Sequence, residues 1–290
     1  MKSFLSEIIN EDNTYNFEYV KEIRQEDNAI IKKSIAIIDE VQHLMDLFIV
    51  LKFNFDDLLE FQLSEVEKLL KEIDPMKHMG NEKYTFLKVE INRFTNNYLS
   101  SYRMFIDHCD LKIGKRFGKD SLQYDQFVGM TNKAYDNTFA YRFAHKLRNF
   151  CQHCGLPITG FNVASTESGT EFQFIFDRDY LLKEYDSWGV KVKGDLKKGP
   201  EKFNVNNIIN NHFQIASEIS ERINALYETK FMESLKYLHS YTLPFRKKNE
   251  LVIIEEQNNN EEQNNNNDDM LITYVKFPFE LIDKFCNGIC

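Results

Sequence analysis

The chain has 290 residues, 45 of them Asp or Glu and 36 Lys or Arg, for a formal net charge of −9. With 42% hydrophobic residues it can bury a real core, its acidity argues against simple nonspecific nucleic-acid binding, and only 11 Gly and 5 Pro disfavour a many-stranded sheet. Five cysteines behind a start, MKSFLSEIINEDN, that lacks an apolar signal core argue against a disulfide framework and for the cytoplasm.

The charge is uneven. Residues 1–82 carry 9 basic and 18 acidic groups, residues 83–160 carry 12 and 6, and residues 161–290 carry 15 and 21. The middle segment is therefore the place where a polyanion would feel a positive field.

Residues 1–27 are polar and weakly patterned, and read as a short helix and a loop. From Asn28 a helical period begins, with Ile31, Ile35, Ile38, Val41 and Met45 stepping by four or three. It predicts helices over 28–53 and 56–73, broken near Asn54 and ended by Asp74-Pro75. The run 44–55 is interrupted by Asp46, Lys52 and Asn54 and is too short to span a bilayer, so no membrane partner is expected. Leu87, Ile91, Phe94, Tyr98, Tyr102, Phe105 and Cys109 predict a helix over about 82–113, followed by a basic loop at 114–118. One long helix is expected over about 121–154, antiparallel to it.

Beyond Pro157 the period changes to two. Phe172, Phe174 and Phe176 alternate with their neighbours, predicting a β-hairpin over about 158–177. Residues 178–188 read as a short helix, 189–199 as a Lys-rich loop and about 204–241 as a long helix. Residues 251–254 and 270–275 read as strands. Between them, the Asn-rich stretch 255–269 cannot bury enough apolar surface to order itself. Three regions result. Residues 1–80 form an acidic helical N-terminal region, 81–242 a helical domain carrying the hairpin, and 243–290 a C-terminal β-element. The fold class is mainly α, an antiparallel helical bundle with a β-hairpin insertion and a small C-terminal β-element.

The densest polar chemistry lies in 143–158, FAHKLRNFCQHCGLPI. Phe143, Leu147 and Phe150 make an apolar stripe. His145, Arg148, Asn149, Gln152 and His153 occupy the adjoining face, and Gly155 and Pro157 stop the helix. An arginine grips phosphate bidentately and a histidine exchanges protons near neutral pH, a pair suited to metal-free RNA cleavage. The plainer reading is a helix end with His153 against the dipole and Arg148 paired to an acid on a neighbouring helix. Cys151 and Cys154, with His108-Cys109, offer zinc-ligand types. One CxxC inside a helix is not a pair of zinc knuckles, however, and Cys151 belongs with the packing side, so no metal or cofactor is assigned.

At Arg148-Asn149-Phe-Cys-Gln-His153 the chain resembles the HEPN superfamily, whose helical domain carries an Arg-x4–6-His motif with Asn, Asp or His often directly after the Arg. The string YRFAHKLRNFCQHCGLPI resembles an uncharacterised bacterial branch, and the likeness covers about 80–240 at most. The resemblance implies a HEPN-like bundle and a homodimer with the two motifs facing each other. It also implies metal-independent endoribonuclease activity on RNA through 2′-OH attack, in a toxin or defence setting with a protein regulator. In that scheme Arg148, His153 and Asn149 are catalytic, and His145, Gln152 and Arg103 hold the substrate. A noncatalytic module binding RNA, nucleotide or protein is the alternative that the same family allows.

Overall fold

The computed structural model describes residues 2–11, 14–72, 80–166, 169–246, 250–256 and 272–286. In chain order the elements are β1 (Ser3–Glu11), β2 (Thr14–Ile23), α1 (Gln25–Glu72), α2 (Asn81–Phe117), α3 (Leu122–Asn137) and α4 (Phe139–His153). There follow β3 (Ile158–Thr166), β4 (Gly169–Asp177), α5 (Arg178–Glu184), α6 (Val190–Lys198), β5 (Lys202–Asn204), α7 (Val205–Thr242), β6 (Glu250–Glu256), β7 (Ile272–Lys276) and α8 (Phe279–Cys286). The protein is mainly helical with two small antiparallel sheets. It divides into two compact units, Met1–His43 with Tyr227–Cys290, and Leu44–Leu226, so the boundary falls within α1 and α7.

The first unit corrects the expectation for the N-terminus. Ser3–Glu11 and Thr14–Ile23 are paired antiparallel strands, not a helix and loop, and β1 is an inner strand of a sheet ordered β2-β1-β6-β7. Leu5 pairs with Ile253 and Ser3 with Glu255. Leu5, Leu251 and Ile253 meet Ile31, Ile35 and Ile38 of α1, Leu235 and Leu238 of α7, and Ile282 of α8 in one core. A bulge between Leu5 and Ser6 breaks the strict alternation, and both residues are buried. This is why β1 reads as unpatterned. The Asn-rich stretch was expected to start at 255, but Glu255 and Glu256 belong to β6. The remainder, 257–269, lies outside the described residues, as do Asp74-Pro75.

Glu255 closes the sheet against α1. It is ion-paired to Lys32 and accepts from Ser3 Oγ at 3.3 Å and Asn28 Nδ2 at 3.5 Å. Lys32 holds the carboxyl below its usual range, outweighing the opposing effect of burial.

The second unit holds α2 to α6, the sheet β3-β4-β5 and the adjoining parts of α1 and α7. The expected break near Asn54 is absent, and α1 runs through. Leu51 and Leu58 are buried on either side, Phe55 stacks on Phe213 at 3.9 Å, and Asn54 donates back to the Val50 carbonyl at 2.9 Å. The basic loop expected at 114–118 is the last turn of α2, which stops at Gly118 with φ +92.

The single helix expected over 121–154 is two, α3 and α4, parted at Thr138 with φ −127 and ψ 120. Asn137 and Thr138 are weak helix formers, and Arg142 stabilises the break. Its guanidinium donates to the Tyr135 and Asp136 carbonyls at 3.2 and 3.3 Å, which an uninterrupted helix would bond itself. The Lys-rich stretch expected as a loop is the helix α6. Val192 and Leu196 are fully buried, and Asp195 is held by Arg142 at 2.5 Å. The hairpin expected at 158–177 is present as β3 and β4.

Candidate functional site

Helix α4 owes its orientation to its apolar stripe. Phe143, Leu147 and Phe150 are fully buried. Trp188, also fully buried, lies nearly parallel to Phe143 and Phe150 at 5.5 and 5.8 Å and donates from Nε1 to the Leu181 carbonyl at 3.0 Å. The helix ends as its sequence indicates. Cys154 and Gly155 both donate to the Phe150 carbonyl, at 2.8 and 3.3 Å, and Gly155 takes φ +142, which few other residues adopt. The chain is then caught by Asn92 of α2. This buried amide donates to the Ile158 carbonyl at 2.8 Å and accepts from the Ile158 N–H at 3.0 Å, replacing a strand neighbour. The C-terminal end of the polar face is thereby fixed in place.

That face divides into two parts. His145 lines a cleft of about 430 Å³ between α2, α3 and α4, together with Arg103, Asp107, Asp110, Thr131, Asn132, Tyr135 and Tyr141. Its ring meets Tyr135 edge-on at 6.0 Å. Burial lowers its pKa first, with the Arg103, Lys146 and Arg148 charges acting in the same direction and Asp107 opposing them. Together these effects favour the neutral imidazole. Arg103 grips Asp107 bidentately, at 2.9 Å through Nε and 2.8 Å through Nη2. The structure thus brings two of the expected substrate-holding residues, Arg103 and His145, into one cleft.

The other four lie beyond it along α4. Arg148 and Asn149 are half-buried, while Gln152 and His153 are exposed in the last turn. Arg148 Nε is buried with no hydrogen-bond partner among the described residues, and the guanidinium forms no ion pair with them. The plain reading required an acid beside Arg148, and no described residue supplies one. Five residues along a helix turn through about 140°, so Arg148 and His153 of one chain do not share a face.

Cys109 and Cys151 belong to the packing, while Cys154 is exposed. Burial pushes the Cys151 thiol up to about 12, and Cys109 is raised further. Among the described residues no group of three His, Cys, Asp or Glu side chains is placed to hold a metal ion.

Sequence reasoning missed the aromatic and carboxylate wall of the cleft and the surroundings of His212. His212 is fully buried, with Nδ1 2.6 Å from Tyr98 Oη, its ring edge-on to Tyr102 at 4.3 Å and stacked with Tyr141 at 5.6 Å. Burial drives its pKa down to about 3, with His145 contributing. The inward register of Tyr98, Tyr102 and His212 on their helices was the available signal. Among the described residues no helix is long and apolar enough to cross a membrane. Comparison with models of protein families, with curated proteins and with solved structures gives no match.

Proposed function

We propose that the C-terminal half of α4 is the site of a metal-independent endoribonuclease of the HEPN type, acting as a homodimer in a toxin or defence role under a protein regulator. The observation that carries this reading is Arg148. Arg148 is half-buried with Nε unpartnered among the described residues, five residues before the exposed His153. A buried N–H donor without an acceptor is costly unless a ligand supplies one, and a phosphate oxygen does so.

His153 takes the proton from the ribose 2′-OH, and the oxygen attacks the adjacent phosphorus. Arg148 stabilises the charge on the pentacovalent phosphorane, and the bond to the 5′-oxygen breaks with return of a proton. The products are a 2′,3′-cyclic phosphate and a 5′-hydroxyl end. Asn149 orients Arg148 or a phosphate oxygen, while Gln152, His145 and Arg103 hold flanking nucleotides. Wild type and His153→Ala incubated with total RNA and excess chelator test the proposal. Cleavage by wild type alone is expected, and equal cleavage by both, or by neither with any RNA, refutes it.

One observation favours the noncatalytic alternative. Arg148 and His153 point about 140° apart on one helix, so a single chain does not bring them to one phosphorus. Catalysis therefore needs the second copy's α4. A protein that sediments as a monomer yet binds RNA would be a binding module.

A further inference from the structure

The stretch 189–202 holds five lysines and two acids within the segment 161–290, which is acidic overall. Folding changes what those lysines can do. Successive helical residues are 100° apart, which places Val192, Asp195 and Leu196 of α6 within an arc of about 100°. That arc is the packed side, with Val192 and Leu196 buried and Asp195 held by Arg142 of α4 at 2.5 Å. Lys191, Lys193, Lys197 and Lys198 occupy the opposite side around Val190, which is 91% exposed. Lys191 pairs with Asp136, but Lys193, Lys197 and Lys198 have no carboxylate partner among the described residues.

The register of α6 on α4 gives this face a direction. Asp195 lies beside Arg142. Six residues earlier, Lys146 Cε is 3.7 Å from where a Cβ on Gly189 would stand. Gly189, with φ +77, turns the chain at that point. The two helices are therefore antiparallel, and the lysine side of α6 leads from the first turn of α4 towards Lys146 and the Arg148 end.

We propose that the outer face of α6, through Lys193, Lys197 and Lys198, binds the phosphate backbone of single-stranded RNA and feeds it along Lys146 to the α4 site. The inference rests on the reading of α4 as an RNA site and adds the path by which the strand arrives. A row of lysines around an aliphatic residue has no aromatic platform or amide to read bases. It therefore suits a ligand with one charge per nucleotide whatever its sequence. An acidic protein segment would meet the same charges, but its carboxylates would find no reason for the row to continue along Lys146 to His153, seven residues on and on the same side of α4.

The test uses the full chain carrying His153→Ala, so that binding is read without cleavage. The probe is a fluorescent single-stranded RNA of about 20 nucleotides, titrated over a range of KCl concentrations. Lys193→Glu/Lys197→Glu/Lys198→Glu is expected to weaken binding about tenfold or more at low salt and to reduce the slope of log affinity against log salt by about 2. The control Lys33→Glu/Lys236→Glu/Lys284→Glu changes the net charge equally in the other unit and is expected to stay within about twofold. Replacing the three α6 lysines by Gln should give a smaller change in the same direction, and circular dichroism should match wild type. Equal loss in both triple variants, unchanged binding in the α6 variant, or a larger loss for a polyglutamate peptide than for RNA would overturn the proposal. Lysine-dependent RNA binding by a wild type that never cleaves RNA would sink the nuclease reading alone and leave this one standing.

Discussion

Glu255 in the first unit is a buried charged group and Arg148 in the second a half-buried one with its Nε out of water, and the protein treats them in opposite ways. Glu255 is 9% exposed and closed on itself. Lys32 neutralises it, Ser3 and Asn28 donate to it, and Asn28 also donates to Ser3 Oγ at 2.8 Å. Arg148 has its Nε buried without an acceptor among the described residues, at the end of a helix whose packing is otherwise complete. A charge surrounded by partners from three parts of the chain ties a fold together. A buried guanidinium N–H left without an acceptor is a cost to the free protein that a ligand can relieve. The difference separates a structural ion pair from a candidate site without reference to residue type.

The largest expected effect breaks the comparison on the functional side. Arg148→Ala should lower RNA cleavage by about 10²- to 10³-fold, the usual cost of removing one group that stabilises a developing oxyanion. Single-turnover rates at saturating protein measure it, and unchanged rates would return Arg148 to the role of packing. Next comes His212, whose surroundings lie between the two extremes, with one polar partner and complete burial. His212→Ala should cost about 3 kcal/mol of stability by denaturant titration. Its pH behaviour follows from the direction of its shift. An unfolded histidine titrates near about 6.5, whereas burial drives the folded one to about 3. The folded state binds fewer protons between these values. The contribution of His212 is complete above about pH 6.5 and declines as the pH falls below it. His212→Phe should flatten that part of the stability profile.

Glu255→Gln sharpens the structural side. It should cost about 1–3 kcal/mol at neutral pH, because Lys32 loses its counter-charge and the donors around it lose a carboxylate. The folded pKa of Glu255 lies below the unfolded value of about 4.3, so its contribution is present above that pH and disappears as the pH falls through the folded value. Thermal melts of wild type and variant should therefore converge in acid. The smallest effect is the most diagnostic. Arg148→Met should change stability by no more than about 0.5 kcal/mol, since no described partner is lost and the aliphatic stem is kept. A loss above about 1 kcal/mol would mean that the guanidinium supports the fold, and the contrast with Glu255 would fail.

The candidate site was legible where its determinants are local. The stripe Phe143, Leu147 and Phe150 and the stop at Gly155 follow from helical spacing and glycine stereochemistry, and both are present. The cleft was not legible, because its wall joins α2, α3 and α4 and depends on the turn at Thr138. Two weak helix formers make that turn available, and Arg142 selects it by bonding the freed carbonyls and Asp195, 53 residues away. Nor could spacing show that His212 would meet Tyr98, 114 residues earlier, inside a core. The break expected at Asn54 failed for the converse reason. A local weakness was overridden by Leu51, Leu58 and the Phe55–Phe213 stack.

By itself the sequence determined the helical periods of α2, α4 and α7, the hairpin of β3 and β4, and a polar helix end rich in Arg and His. Each needs only residues within a few turns or a few strand positions of one another. Tertiary structure alone decided that β1 is a strand, because its partner β6 begins more than two hundred residues later and a pairing has no signature until both edges meet. It also decided that the lysines of α6 line one side of a helix laid along α4. Val192, Leu196 and the Asp195–Arg142 pair hold that helix against its neighbours, and a packed partner is what makes nine such residues helical.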